Sequence, residues 1–170
     1  MLSIRPADVR DLPLLTSLIH EFAAFERLPV TVNEDSLRRD GFGERPKFQV
    51  IMADWNDEPA GYALFFDYYS TFEGRAGIFL EDIYVREPYR GKEIGKALLA
   101  RVAAIARDRG CFGVRWQVLD WNTPAIDFYR KLGAEFLDEW KTVSLQGDAL
   151  ERLAGFAPRS PLGSESRGER

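Results

Sequence analysis

Two adjacent acids and a glycine-containing loop are where this chain could do chemistry. Glu81 and Asp82 lie in an apolar, partly β-branched run, 78–85, that reads as a strand. Neighbours on a strand point to opposite faces, so the two are not a paired-carboxylate dyad unless a bulge re-aims one of them. The run leads into Arg90-Gly91-Lys92-Glu93-Ile94-Gly95 and then a stripe of Ile94, Leu98, Leu99, Val102 and Ile105 at helical spacing. Small residues between a strand and a helix let backbone N–H groups approach a phosphate, and the helix N-terminus adds partial positive charge. Arg90, Lys92 and Lys96 add full charges. Taken alone, the loop fits a glycine turn with solvated basic residues equally well.

The other reactive residue types are scarce. His20 is the only histidine and Cys111 the only cysteine, so a zinc cluster of Cys and His cannot be assembled and no metal is expected. A Ser–His–Asp triad would have to use His20, which reads as an ordinary helix-surface residue. Acid–base work therefore falls to carboxylates, tyrosine, lysine or water. The formal charge of −4 argues against a general nucleic-acid binder and would suit a cationic ligand. The lone cysteine excludes an internal disulfide and suits a reducing cytoplasm. The first residues carry no basic-then-apolar signal, and no apolar run is long enough to span a membrane.

The elements that must position these residues follow from periodicity. Residues 2–5 read as a strand. Asp11 is a candidate N-cap for a helix with Pro13 in its first turn and Leu15, Leu18, Ile19, Phe22 and Phe25 on one stripe. A second short helix spans 33–39. Runs 48–53 and 61–68 around Asn56-Asp57-Glu58-Pro59 form a hairpin signal. After the 78–85 strand and the long helix, which Gly110 stops, Val114, Trp116 and Val118 alternate as a strand. Asn122 or Thr123 caps a helix through Phe128 and Tyr129 to Gly133. Short strands near 134–137 and 140–145 and a helical turn at 148–153 complete the order β-α-α-β-β-β-α-β-α-β-β. An α/β fold with a mixed central sheet and helices on both faces is the natural architecture. One domain over 1–155 and a disordered Pro/Ser/Gly/charge tail over 156–170 are expected.

Beyond the loop, Ile4-Arg5-Pro6, Asp40-Gly41-Phe42-Gly43-Glu44, Leu80-Glu81-Asp82-Ile83-Tyr84-Val85, Tyr89-Arg90-Gly91, Leu119-Asp120-Trp121-Asn122 and Phe128-Tyr129-Arg130-Lys131-Leu132-Gly133-Ala134 occur in a fixed order. In that order the sequence resembles the GNAT superfamily of N-acetyltransferases, and within it the diamine acetyltransferase branch that includes spermidine/spermine and thialysine enzymes. The family loop reads Arg/Gln-x-x-Gly-x-Gly/Ala. Glu93 stands where it has glycine, and a carboxylate near a pyrophosphate is unfavourable unless it faces solvent or pairs with Lys92 or Lys96.

The resemblance implies a GNAT-like fold and acetyl-CoA as co-substrate. It implies a CoA site of Ile83, Tyr84 and Val85 along the pantetheine arm, residues 90–96 at the pyrophosphate, and Asn122, Thr123, Pro124 and Ala125 beside the arm. It implies Glu81 as a water-mediated base, Asp82 as the holder of a cationic group, and Tyr129 as the acid that meets the thiolate. Read from their residues alone, Tyr129 fits an aromatic plug as well, Asp82 a solvated strand residue, and Glu26 an exposed residue at a helix end. Phe25, Glu26, Arg115, Trp116, Gln117 and Glu139 complete the expected substrate side, Asp138 and Glu139 on an uncertain match. A lysine-like amino acid would also need a partner for its carboxylate, for which Arg75 or Arg115 are candidates; a polyamine would need only acids and aromatic faces. The sequence leaves both open, as it leaves a protein lysine, a drug amine, or a GNAT-fold protein that binds CoA weakly. Family members are generally dimers, and a homodimer is expected.

Overall fold

The computed structural model describes residues 1–158. These fall into two compact units, Met1–Ile126 and the chain from Asp127 onward.

The first unit is built on one sheet, ordered β1 (Leu2–Pro6), β2 (Gln49–Trp55), β3 (Glu58–Ser70), β4 (Arg75–Val85) and β5 (Val114–Trp116). All pairs are antiparallel except β4–β5, which is parallel. The β2–β3 turn is made by Asn56 and Asp57, both left-handed (φ 51° and 65°), the conformation a two-residue hairpin loop needs. Pro59 sits inside β3 at a bulge, where Asp54 faces Pro59 and Ala53 faces Gly61.

Helix α1 (Leu12–Glu26) buries Leu12, Leu15 and Leu18 at the expected spacing. With Leu37 of α2 (Glu34–Gly41) they pack on Val50, Met52, Tyr62, Leu64 and Tyr84. Each such buried side chain contributes about 1.5–3 kcal/mol of transfer free energy. Asp11 precedes α1 as expected, but its carboxylate makes no cap bond. It is held instead by a forked pair from Arg5 at 2.7 and 2.8 Å, and Asp8 caps the preceding turn. Helix α3 (Ile94–Asp108) buries Ile94, Leu98, Leu99, Val102 and Ala106, packing on β2, β3, β4 and β5. Helix α4 (Thr123–Lys131) begins in this unit.

The second unit holds the end of α4, a turn at Gly133 (φ 83°), and α5 (Gly147–Ala154). Two expectations are corrected here. No strand forms over 134–137 or 140–145. Backbone extended without a neighbouring strand leaves its N–H and C=O groups unpaired, so a β-favouring composition is insufficient. Trp140 and Val143 are 71% and 89% exposed. Likewise β5 stops at Trp116 and does not reach Val118. The expected tail falls outside the described residues from 159 onward. Among the described residues no helix is long and apolar enough to cross a membrane.

Candidate active site

The site is organised by an irregularity in β4. Leu64 of β3 faces Asp82, but the next residue, Phe65, faces Leu80. Glu81 is therefore the extra residue of a β-bulge. The bulge resets alternation, so Asp82 stands on the α1 face with Tyr84 while Leu80 faces the α3 side with Phe65. Glu81 is left exposed and Asp82 half-buried. β5 pairs with β4 only from Ile78 to Leu80. Past that point no strand lies on that edge among the described residues, so the backbone of Ile83, Tyr84 and Val85 is available to an extended ligand.

Asp82 lies half-buried beside Tyr62. The fully buried Tyr62 hydroxyl donates to Asp82 Oδ2 at 2.9 Å. Burial pushes the Asp82 carboxyl up to about 6, helped by the nearby negative charges of Glu81 and Glu26, while the Tyr62 hydrogen bond pulls it down. Glu26, at the end of α1, is also raised by desolvation. Burial outweighs hydrogen bonding for Asp82, as expected when a carboxylate has few donors. Two acids that gain by acquiring a cationic partner thus share one side of the sheet.

Aromatic rings wall this region. Phe22 and Tyr84 have centroids 5.5 Å apart, Tyr62 and Tyr84 6.5 Å, and Phe25 and Trp121 6.1 Å. The Arg90 guanidinium lies 4.7 Å over Phe25 and 6.0 Å from the Tyr84 ring, with Nε donating to the Val85 carbonyl at 3.0 Å. Such placement of a cation on ring faces is favourable. A forked ion pair from Arg86 to Glu21, at 2.9 and 2.6 Å, ties the end of β4 to α1, and so fixes the helix that carries Phe22, Phe25 and Glu26.

The loop before α3 fits an anionic ligand. Gly91 has φ 76°, and a Cβ built there meets nothing within 4 Å, so the loop surface is open. At Gly95 a Cβ would meet only Val85 Cγ2, at 3.8 Å. No side chain caps the start of α3, which leaves its first N–H groups for a ligand. Glu93 adopts φ 62°, the left-handed region where glycine is unstrained. Its exposed carboxylate is paired to Lys96 at 3.0 Å. Lys92 leans on Trp55, 5.8 Å from the ring centroid.

Of the remaining expected residues, Asn122 accepts a hydrogen bond at Oδ1 from the Ala125 N–H at 3.4 Å, at the start of α4 with Thr123 and Pro124. Arg115 lies opposite Phe79 on β5, over the rings of Tyr68 and Phe112, away from the aromatic wall. Trp116, facing Leu80, is half-buried and Gln117 follows it. Tyr129 is buried, with its ring 5.4 Å from Phe128. Asp138 and Glu139 belong to the second unit and Glu139 is exposed. Phe22, Tyr62 and Trp121 were not expected at the site. Phe22 had a local signal only as part of the α1 stripe and Trp121 only in the Leu119-Asp120-Trp121-Asn122 run; Tyr62 had none. The described residues hold no group of three His, Cys, Asp or Glu side chains disposed to bind a metal.

Residues 14–134 match the acetyltransferase (GNAT) family model. The chain is 41% identical over 165 residues to a thialysine N-epsilon-acetyltransferase of Sus scrofa, covering 89% of this chain and 96% of that one. It is 33% identical over 198 residues to an L-ornithine N5-acetyltransferase of Arabidopsis thaliana, covering 88% and 86%. A protein described as a predicted acetyltransferase from Clostridium acetobutylicum, solved with acetyl-CoA, has the same fold at a TM-score of 0.69 and 21% identity, covering 85% of this chain and 97% of that one. By its sequence over most of its length and by its fold, this chain belongs to the GNAT acetyltransferase family.

Proposed function

We propose that the protein transfers the acetyl group of acetyl-CoA to a primary amine of a small diamine, polyamine or thialysine-like amino acid. The observation that carries this reading is the desolvated pair Asp82 and Glu26 within the aromatic wall, next to an uncapped α3. Carboxylates raised by burial are stabilised by a bound ammonium, and ring faces favour cations without selecting for a bulky group. The names of the relatives from Sus scrofa and Arabidopsis point to the same class of acceptor.

Acetyl-CoA supplies the thioester that the amine opens. On the protein's side, an alkylammonium with a pKa near about 10.4 must lose a proton before its nitrogen can attack. Glu81, exposed on the bulge, takes that proton through water. Asp82 and Glu26 hold positive charge and orient the acceptor. Tyr129 donates to the leaving thiolate, a phenol pKa of about 10 suiting the task. The N–H groups of residues 91–96 hold the pyrophosphate, Ile83–Val85 line the arm, and Asn122–Ala125 face it.

The protein acts in the cytoplasm, where its single cysteine, Cys111, stays reduced. A homodimer is supported by the apolar residues left exposed after α4, Trp140, Val143 and Phe156 among them, since such surface favours burial against a partner. A second reading, a GNAT-fold protein that holds CoA weakly, draws on Glu93, whose carboxylate and strained backbone sit in the loop.

The test is a thiol-release assay with acetyl-CoA against spermidine, putrescine, thialysine, lysine and a histone peptide. Turnover on the small amines is expected. Release only with the histone peptide moves the acceptor to protein lysine, and stabilisation by CoA without turnover on any amine selects the weak-binder reading.

A further inference from the structure

We infer that Arg27 determines whether this site accepts an α-amino acid or the diamine of the same chain length, by pairing with the α-carboxylate. The inference rests on the amine-acetylation reading above and names a residue for its specificity.

Arg27 directly follows Glu26 and ends α1 in the left-handed conformation, φ 59° and ψ 34°, with its N–H donating to the Ala23 and Ala24 carbonyls. Glycine or asparagine ordinarily fills that position, and arginine holds it at a steric cost. The turn brings the guanidinium 5.8 Å from the Trp121 ring, and that ring stands 6.1 Å from Phe25. Arg27 is therefore placed beside the Phe25–Trp121 part of the aromatic wall, one residue from Glu26.

Its charge is uncommitted. Arg5, Arg10, Arg39, Arg86, Arg107, Arg109 and Arg130 each pair with a carboxylate, whereas Arg27 has no such partner among the described residues. A planar fork of five donors held near an indole face is suited to bidentate carboxylate recognition. An α-amino acid bears an ammonium and a carboxylate on one carbon. Glu26 and Arg27 present the complementary signs from adjacent positions. A diamine brings only an ammonium and leaves Arg27 unpaired beside it. The arginines considered from sequence are placed elsewhere: Arg75 faces Ser70 at the far end of β4, and Arg115 is stacked on Tyr68 and Phe112.

Lysine with cadaverine, and ornithine with putrescine, are pairs that differ only by the carboxylate. We would measure kcat/KM for all four acceptors with the wild type, Arg27→Ala, Arg27→Lys and Arg27→Gly, the last fitting the left-handed backbone without strain. The amino-acid-to-diamine ratio cancels differences in the amount of folded enzyme. It should exceed one in the wild type, fall about tenfold or more in both neutral variants, as loss of a charge-assisted pair implies, and largely recover in Arg27→Lys. A wild-type ratio below one, or a change of less than about twofold in both neutral variants, overturns the role of Arg27. Absence of turnover on all four acceptors and on spermidine and thialysine as well overturns the amine-acetylation reading itself.

Discussion

The Tyr62 hydroxyl, on β3, donates to Asp82 on β4 at 2.9 Å, and it is the one contact that pulls the Asp82 carboxyl down while burial pushes it up to about 6. The pair links the core beneath α1 to the acid expected to meet the amine. Amine affinity should therefore fall as pH drops through about 6 and Asp82 takes a proton. Tyr62→Phe removes the stabilising donor and should move that acidic limb upward in a plot of amine kcat/KM against pH. A limb that stays in place would exclude Asp82 as the titrating group.

The same group affects folding. The folded pKa of about 6 exceeds the unfolded value of about 3.9. The folded state thus binds more protons between those values, and stability is present below about pH 4 and lost as pH rises through about 6. Asp82→Asn abolishes this term. In urea unfolding, the variant should gain up to about 2 kcal/mol on the wild type at pH 7.5 relative to pH 4.

Glu93 combines a left-handed backbone with a carboxylate in the loop before α3. Glu93→Gly relieves roughly 1 kcal/mol of backbone strain and removes a negative charge near the pyrophosphate. The exposed pair it loses with Lys96 is worth little. Acetyl-CoA binding by calorimetry should tighten several-fold; an unchanged or weaker affinity shows that Glu93 is harmless.

At Gly61 a Cβ would collide with the Tyr84 carbonyl oxygen. Backbone cannot yield as a side-chain tip can, so Gly61→Ala must push β3 from β4 where Ile83–Val85 line the open edge. A loss of about 1–3 kcal/mol in urea unfolding is expected, together with weaker acetyl-CoA binding.

Tyr129→Phe deletes only a hydroxyl. If the phenol protonates the departing thiolate, kcat should fall about 10²-fold or more with little change in melting temperature. Turnover at the wild-type rate would leave Tyr129 as packing.

Local patterns in the sequence determined much of this protein. The spacing of Leu15 and Leu18, the Asn56-Asp57 turn and the stripe on α3 each depend on neighbours a few residues away, and all appear where expected. So did the strand–loop–helix containing Glu81 and Gly95. The roles of Glu81 and Asp82 needed more. Strict alternation separates the two faces, but which face each takes depends on the register with β3, twenty residues away, where the bulge places Glu81 in solvent and Asp82 beside Tyr62. The ring wall draws Phe22, Phe25, Tyr84 and Trp121 from three distant segments, and no local signal could assemble them. The absent strands over 134–145 have the same cause: composition gives a segment the tendency to extend, but only a neighbouring strand can satisfy its backbone. Burial and pairing over long sequence separations were decided by the tertiary structure, because desolvation and strand register are properties of what packs nearby.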